Sequence, residues 1–152
     1  PLPESQLDRF LMRIELGYPD PESEREMLSG VDPRTLLATI NEVITPQQLE
    51  QIQQQILTVK ASDSLIDYVQ RLVQFTRTDG AFQSGLSPRG ALALLQSARA
   101  WAWLHDRNYV IPEDVQAVMP SVVGHRLRGS VDQSGYTGTM LVQHVLNAVD
   151  II

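Results

Sequence analysis

Gly85-Leu86-Ser87-Pro88-Arg89-Gly90 opens the helix from which the rest of the chain is read. Ser87 offers the side-chain oxygen of an N-cap, and Pro88 suits the first helical position, where a missing N–H costs nothing. Arg89 then falls in the first turn. That end of a helix carries roughly +0.5 charge and disfavours a cation by about 0.3–1 kcal/mol. With its free N–H groups, the same end is a ready anion site. Two readings are open: an arginine directed at a phosphate, or one that bends away into solvent. From Pro88 to about His105 the pattern is apolar nearly all round, with Leu92, Leu94, Leu95, Ala98, Trp101 and Trp103. Such a helix is expected at the centre of a bundle, buried on several sides.

Downstream, Asp106-Arg107-Asn108 reads as a turn and Tyr109-Val110-Ile111 as a short extended piece. Pro112-Glu113-Asp114 starts another helix, with Val115, Val118, Met119 and Val122 facing inward. Ile111 stands at its N-cap without a side-chain acceptor, a loss of about 1 kcal/mol. Pro120 predicts a break or kink. His125-Arg126-Leu127-Arg128 reads as cations suited to a helix C-terminus. A Gly- and Ser-rich loop over 129–139 leads to a last helix beginning near Thr139. Upstream, Ser62 caps a helix to about Thr78, and Leu57-Thr58-Val59 looks β-like. Thr45-Pro46-Gln47-Gln48 is a capping box, and the six glutamines from Gln47 to Gln55 make a solvated helix face.

The first 44 residues differ in character. Pro3 to Phe10 reads as a short helix. Met12 to Leu16 alternates apolar and polar, the period of a strand, which Gly17 and Pro19 end. Asp20-Pro21-Glu22 starts a helix to about Leu28. Residues 31–44 hold an extended stretch, or a loop with a helical turn around Leu36 to Ile40. One strand cannot bury its own edges. The chain is therefore expected to be the C-terminal part of something larger, a fragment or a processed chain. The expected fold is mainly α: a bundle of four or five helices over 45–152, preceded over 1–44 by a remnant of an α/β core with one strand.

Composition sets limits on function. The chain has 152 residues, 43% hydrophobic and 20% charged, as in a globular protein with a core. It has no cysteine, so no disulfide framework or thiolate metal site. His105, His125 and His144 are too scattered to suggest a metal. A net charge of −6 argues against a nucleic-acid module. No apolar run approaches the roughly 18 residues of a membrane span, and no signal peptide is visible, so a cytoplasmic location is expected.

Two blocks together carry a family resemblance. Pro1-Leu2-Pro3-Glu4-Ser5-Gln6-Leu7-Asp8-Arg9-Phe10 resembles the segment just after sensor 1 in MoxR-type AAA+ ATPases. Gly85-Leu86-Ser87-Pro88-Arg89-Gly90-Ala91, with Tyr109 to Val115 after it, resembles the sensor 2 region of their lid domain. His125-Arg126-Leu127 matches the usual lid ending. The resemblance implies that Arg9 is an arginine finger reaching ATP on a neighbouring subunit, and that Asp8 positions it. It implies that Arg89 is the sensor 2 arginine, touching ATP of its own subunit, with Ser87 and Pro88 shaping that site. It further implies ATP with Mg²⁺ in the intact protein, contact with its own AAA+ core domain, a hexameric ring, and partners with a von Willebrand factor A domain. No Gly-x-x-x-x-Gly-Lys-[Ser/Thr] run occurs in the sequence, so this chain alone is expected neither to bind ATP tightly nor to hydrolyse it. The expected function is that of the lid-containing portion of a chaperone-like remodelling ATPase. The alternative is a free-standing helical interaction module with no nucleotide role.

Overall fold

Helix starts with a side-chain cap and a following proline dominate the architecture, which is described here from a computed structural model. Residues 3–30, 33–37, 39–130, 135 and 137–151 are described. Pro1 and Leu2 of the first family block, parts of the 31–44 stretch and most of the 131–136 loop lie outside them. In chain order the elements are α1 (Glu4–Leu7), α2 (Pro21–Leu28), α3 (Pro33–Leu37), α4 (Pro46–Thr58), α5 (Asp63–Thr78), β1 (Phe82–Ser84), α6 (Pro88–Leu104), α7 (Pro112–Val123), β2 (Arg128–Gly129) and α8 (Gly138–Ala148). The mainly helical class is as expected from the sequence.

The chain groups into two compact units, 1–13 with 54–152, and 14–53. In the smaller unit, Asp20 Oδ1 accepts the N–H groups of Glu22 and Ser23 at 3.0 Å and caps α2. The N–H of Ser23, then its hydroxyl, hold the Asp20 carboxyl below its usual pKa. Thr45 and Gln48 form the expected capping box, at 2.7 and 3.1 Å. The larger unit holds the core. Leu65, Tyr68 and Leu72 of α5, Leu94 and Ala98 of α6, Val115, Met119 and Val122 of α7, and Leu141 and Val145 of α8 are almost fully buried. The main neighbour of α6 is α7.

Several expectations are corrected. Met12 to Leu16 forms no strand, and residues 12–20 have no regular structure. A strand needs a ladder partner, and the Arg13 N–H instead bonds the Ser121 carbonyl of α7 at 2.8 Å. The helix expected over Pro3 to Phe10 contracts to the four residues of α1. Leu57 and Thr58 are helical, because α4 runs on from its capping box to Thr58. Pro120 does not end α7. It sits one turn from the C-terminus, its missing N–H withdraws a donor from a single carbonyl, that of Gln116, and buried Met119, Val122 and Val123 hold that turn in the core. α6 is buried along one side only, since Leu92 and Leu104 are exposed.

The short antiparallel pair β1–β2 was not anticipated. Phe82 faces Gly129 and Ser84 faces Arg128, with an irregularity between them. It ties the chain after α7 to the turn before α6.

Candidate functional site

The start of α6 is fixed from α5. Buried Thr76 accepts the Leu86 N–H on Oγ1 at 2.9 Å, and Arg77 Nε donates to Leu86 O at 3.0 Å. Gly85 makes this approach possible, because a Cβ there would lie 2.6 Å from Arg77 Cα. Ser87 then takes an extended backbone, φ −68° and ψ 159°, and its Oγ accepts the Gly90 N–H at 3.0 Å. The expected cap is present, with Pro88 at the first helical position.

The Ser87 hydroxyl donates to Asp8, whose carboxylate oxygens lie at 2.9 and 3.0 Å. An anion does sit at this helix N-terminus, and it is the chain's own. Arg89 Nη1 lies 3.5 Å from Asp8 Oδ2, with the Arg89 side chain 60% exposed. The cation in an electrostatically poor place is thus offset by a carboxylate from 81 residues away. Asp8 was expected to position Arg9; its side-chain bonds go to Ser87, Arg89 and Arg126. Arg9, the next residue, is exposed.

Arg126 was read only as a helix-end cation. Its Nε donates to Asp8 Oδ1 at 3.2 Å, and its side chain is 4% exposed. Nη2 donates to Asp8 O at 3.3 Å and Phe10 O at 2.6 Å; Nη1 donates to Leu11 O at 3.1 Å and to Val122 O. His125 Nε2 lies 3.1 Å from Phe10 O. A cleft of about 200 Å³ opens here, lined in part by Ser5, Asp8, Gly85, Ser87, His125 and Arg126. The run His125-Arg126-Leu127-Arg128 was the available sequence signal, but its partners Asp8 and Phe10 are more than a hundred residues away.

The other end of α7 is anchored by an ion pair. Asp114 Oδ2 and Oδ1 accept Arg107 Nη1 and Nη2 at 2.6 and 2.5 Å, and Oδ2 also accepts the Ile111 N–H at 2.9 Å. Burial pushes the Asp114 carboxyl up, but the Arg107 guanidinium and the Ile111 N–H outweigh it and hold the carboxyl below its usual pKa. The same pair raises Arg107.

Two guanidinium groups, a hydroxyl and a helix N-terminus form a donor set suited to an oxyanion, and a carboxylate is what they hold here. Among the described residues no three His, Asp or Glu side chains cluster to hold a metal ion, and no helix is long and apolar enough to cross a membrane.

The AAA lid domain family model matches residues 74–145. The chain is 37% identical over 153 residues to the uncharacterized protein YeaC of Bacillus subtilis, covering 99% of this chain and 48% of that protein. It is 38% identical over 138 residues to the chaperone MoxR1 of Mycobacterium tuberculosis, covering 84% of this chain and 36% of the relative. A crystal structure of a candidate ATPase from Cytophaga hutchinsonii superposes with a TM-score of 0.81 at 30% identity, over 99% of this chain and 49% of that one. The chain thus spans about half, or less, of the length of the relatives it matches. These matches show that the chain belongs to the MoxR-type AAA+ family, as a C-terminal portion that carries the lid domain.

Proposed function

We propose that this chain is the lid-bearing portion of a cytoplasmic, ring-forming AAA+ ATPase, a hexamer, that couples ATP binding and hydrolysis to chaperone-like remodelling of partner proteins. Those partners include proteins with a von Willebrand factor A domain. The residues 1–44 complete an AAA+ core, and 45–152 form the lid. Exposure of Leu16, Tyr18 and Val43 supports a larger core over the first segment, since each stands more than nine-tenths open.

The observation that carries this reading is the shared carboxylate. Asp8 is at once the ion partner of Arg89 and the chain neighbour of Arg9, and adjacent Cα atoms are about 3.8 Å apart. The Arg9 backbone therefore lies beside the carboxylate that Arg89 contacts. This favours a single phosphate for both over the two separate ATP molecules expected from the sequence. If Arg9 is the finger toward a neighbouring subunit, Arg89 accompanies it there. ATP with Mg²⁺ supplies the phosphoryl group on which charge develops. Arg9 and Arg89 hold positive charge against it, and the exposed, loosely held Arg89 can leave Asp8 to do so. Ser87 and Arg126 then keep Asp8 in place.

Phosphate release by the intact protein tests this. Arg9→Ala is expected to lower kcat by about 10³-fold or more, and this chain alone should match the buffer blank. Turnover by Arg9→Ala within twofold of the unaltered protein would sink the reading.

A further inference from the structure

The hydrogen bonds of Arg126 exceed what a helix-end cation needs. Of its five, four fall on residues 8–11: the Asp8 carboxylate and the carbonyls of Asp8, Phe10 and Leu11. They bracket Arg9 on both sides. His125 adds a second contact to Phe10 O, and the Arg13 N–H bonds Ser121 O at 2.8 Å. Local bonds run from the Arg9 N–H to Gln6 O and from the Phe10 N–H to Leu7 O, both at 3.1 Å, but α1 is only four residues long and residues 12–20 have no regular structure. A planar guanidinium can serve several diverging carbonyls at once; an ammonium cannot reproduce that fork.

We infer that Arg126 is a positioning residue. It clamps the main chain of residues 8–11 to the end of α7 and so sets the direction in which Arg9 leaves the surface. The inference rests on the proposed role of Arg9 as a finger. It adds that the lid itself, through the end of α7, aims that finger. A lid movement that shifts α7 would move Arg9 with it.

The test uses the intact protein with Arg9→Ala, Arg126→Lys, His125→Ala and the two double variants that include Arg9→Ala. Arg126→Lys keeps a charge beside Asp8 but loses the fork to Phe10 and Leu11. Misplacing a reacting group by about 1 Å can cost on the order of 100-fold, and a kcat loss of about that size is expected. The KM for ATP and ring assembly, read by sedimentation, should stay unchanged. His125→Ala leaves the Arg126 clamp in place and should show a smaller kcat loss with the same unchanged KM. In both double variants the second lesion should add nothing to Arg9→Ala, because a misaimed finger and an absent one are the same defect. Wild-type turnover by both Arg126→Lys and His125→Ala, beside a slow Arg9→Ala, overturns the clamp alone. So do losses that multiply in the doubles, which mark a general structural defect. Wild-type turnover by Arg9→Ala overturns the finger reading first, and the clamp with it. If Arg126→Lys lowers the melting temperature, the His125→Ala pair decides.

Discussion

Replacing Asp114 with alanine should destabilise this chain by about 3 kcal/mol. The Asp114 side chain is 2% exposed and accepts three hydrogen bonds, two from the Arg107 fork and one from the Ile111 N–H. The last does half the work of a cap at a helix start whose Ile111 has no side-chain oxygen, a contribution of about 1 kcal/mol. Breaking a buried ion pair costs about 3–5 kcal/mol. The Arg107 side chain is 23% exposed, so the released guanidinium regains water, which places the total at the lower end. For a domain of this size the melting temperature should fall by roughly 6–12 °C. Thermal and urea unfolding followed by far-ultraviolet circular dichroism measures both. The pH dependence has a definite sign. The folded-state pKa of Asp114 lies below its unfolded value, so the unfolded chain binds the extra proton. The contribution is complete above the unfolded pKa of about 3.9 and is lost as pH falls through the folded value. The gap between the two proteins should therefore be widest at neutral pH and narrow below about pH 4. A loss under about 1 kcal/mol, as an exposed surface pair gives, or a gap that widens in acid, would refute the argument.

Gly138→Ala should be costly despite the better helix propensity of alanine. Its Cβ would lie 2.0 Å from Gly124 O, and overpacking against backbone costs about 1–3 kcal/mol; equal melting temperatures would contradict this contact. Ser87→Ala removes both the α6 cap and a donor to Asp8. A loss of about 1–2 kcal/mol is expected, largely restored by Ser87→Thr, and urea unfolding distinguishes these outcomes.

What the sequence disclosed follows from how local the chemistry is. Asp20-Pro21, the Thr45–Gln48 box, Ser62 and Ser87-Pro88 all start helices where read, because each cap bonds within three residues of itself. Met12 to Leu16 shows a strand period, but period does not supply a partner edge. β1 and β2, three residues and two, are too short to announce themselves and pair across the intervening α6 and α7. The site was half legible. Arg89 was visible as a broken helix rule, and Arg9 and Asp8 through the family resemblance. Arg126 was hidden because a cation after a helix already has a local explanation; only the fold shows that its partner Asp8 lies 118 residues away. Asp114 was legible only as part of a helix start, and its pairing with Arg107 depends on the turn between α6 and α7.

The central claim is that Arg9 and Arg89 of one subunit meet the same phosphate. Mixing intact Arg9→Ala subunits with intact Arg89→Ala subunits, in co-assembled rings, tests it most directly through ATP turnover. If both arginines of a subunit serve one site, no site in the mixed ring receives both, and turnover stays at the level of the separate variants. If they serve different ATP molecules, some sites regain a full set, and turnover well above either variant would contradict the claim.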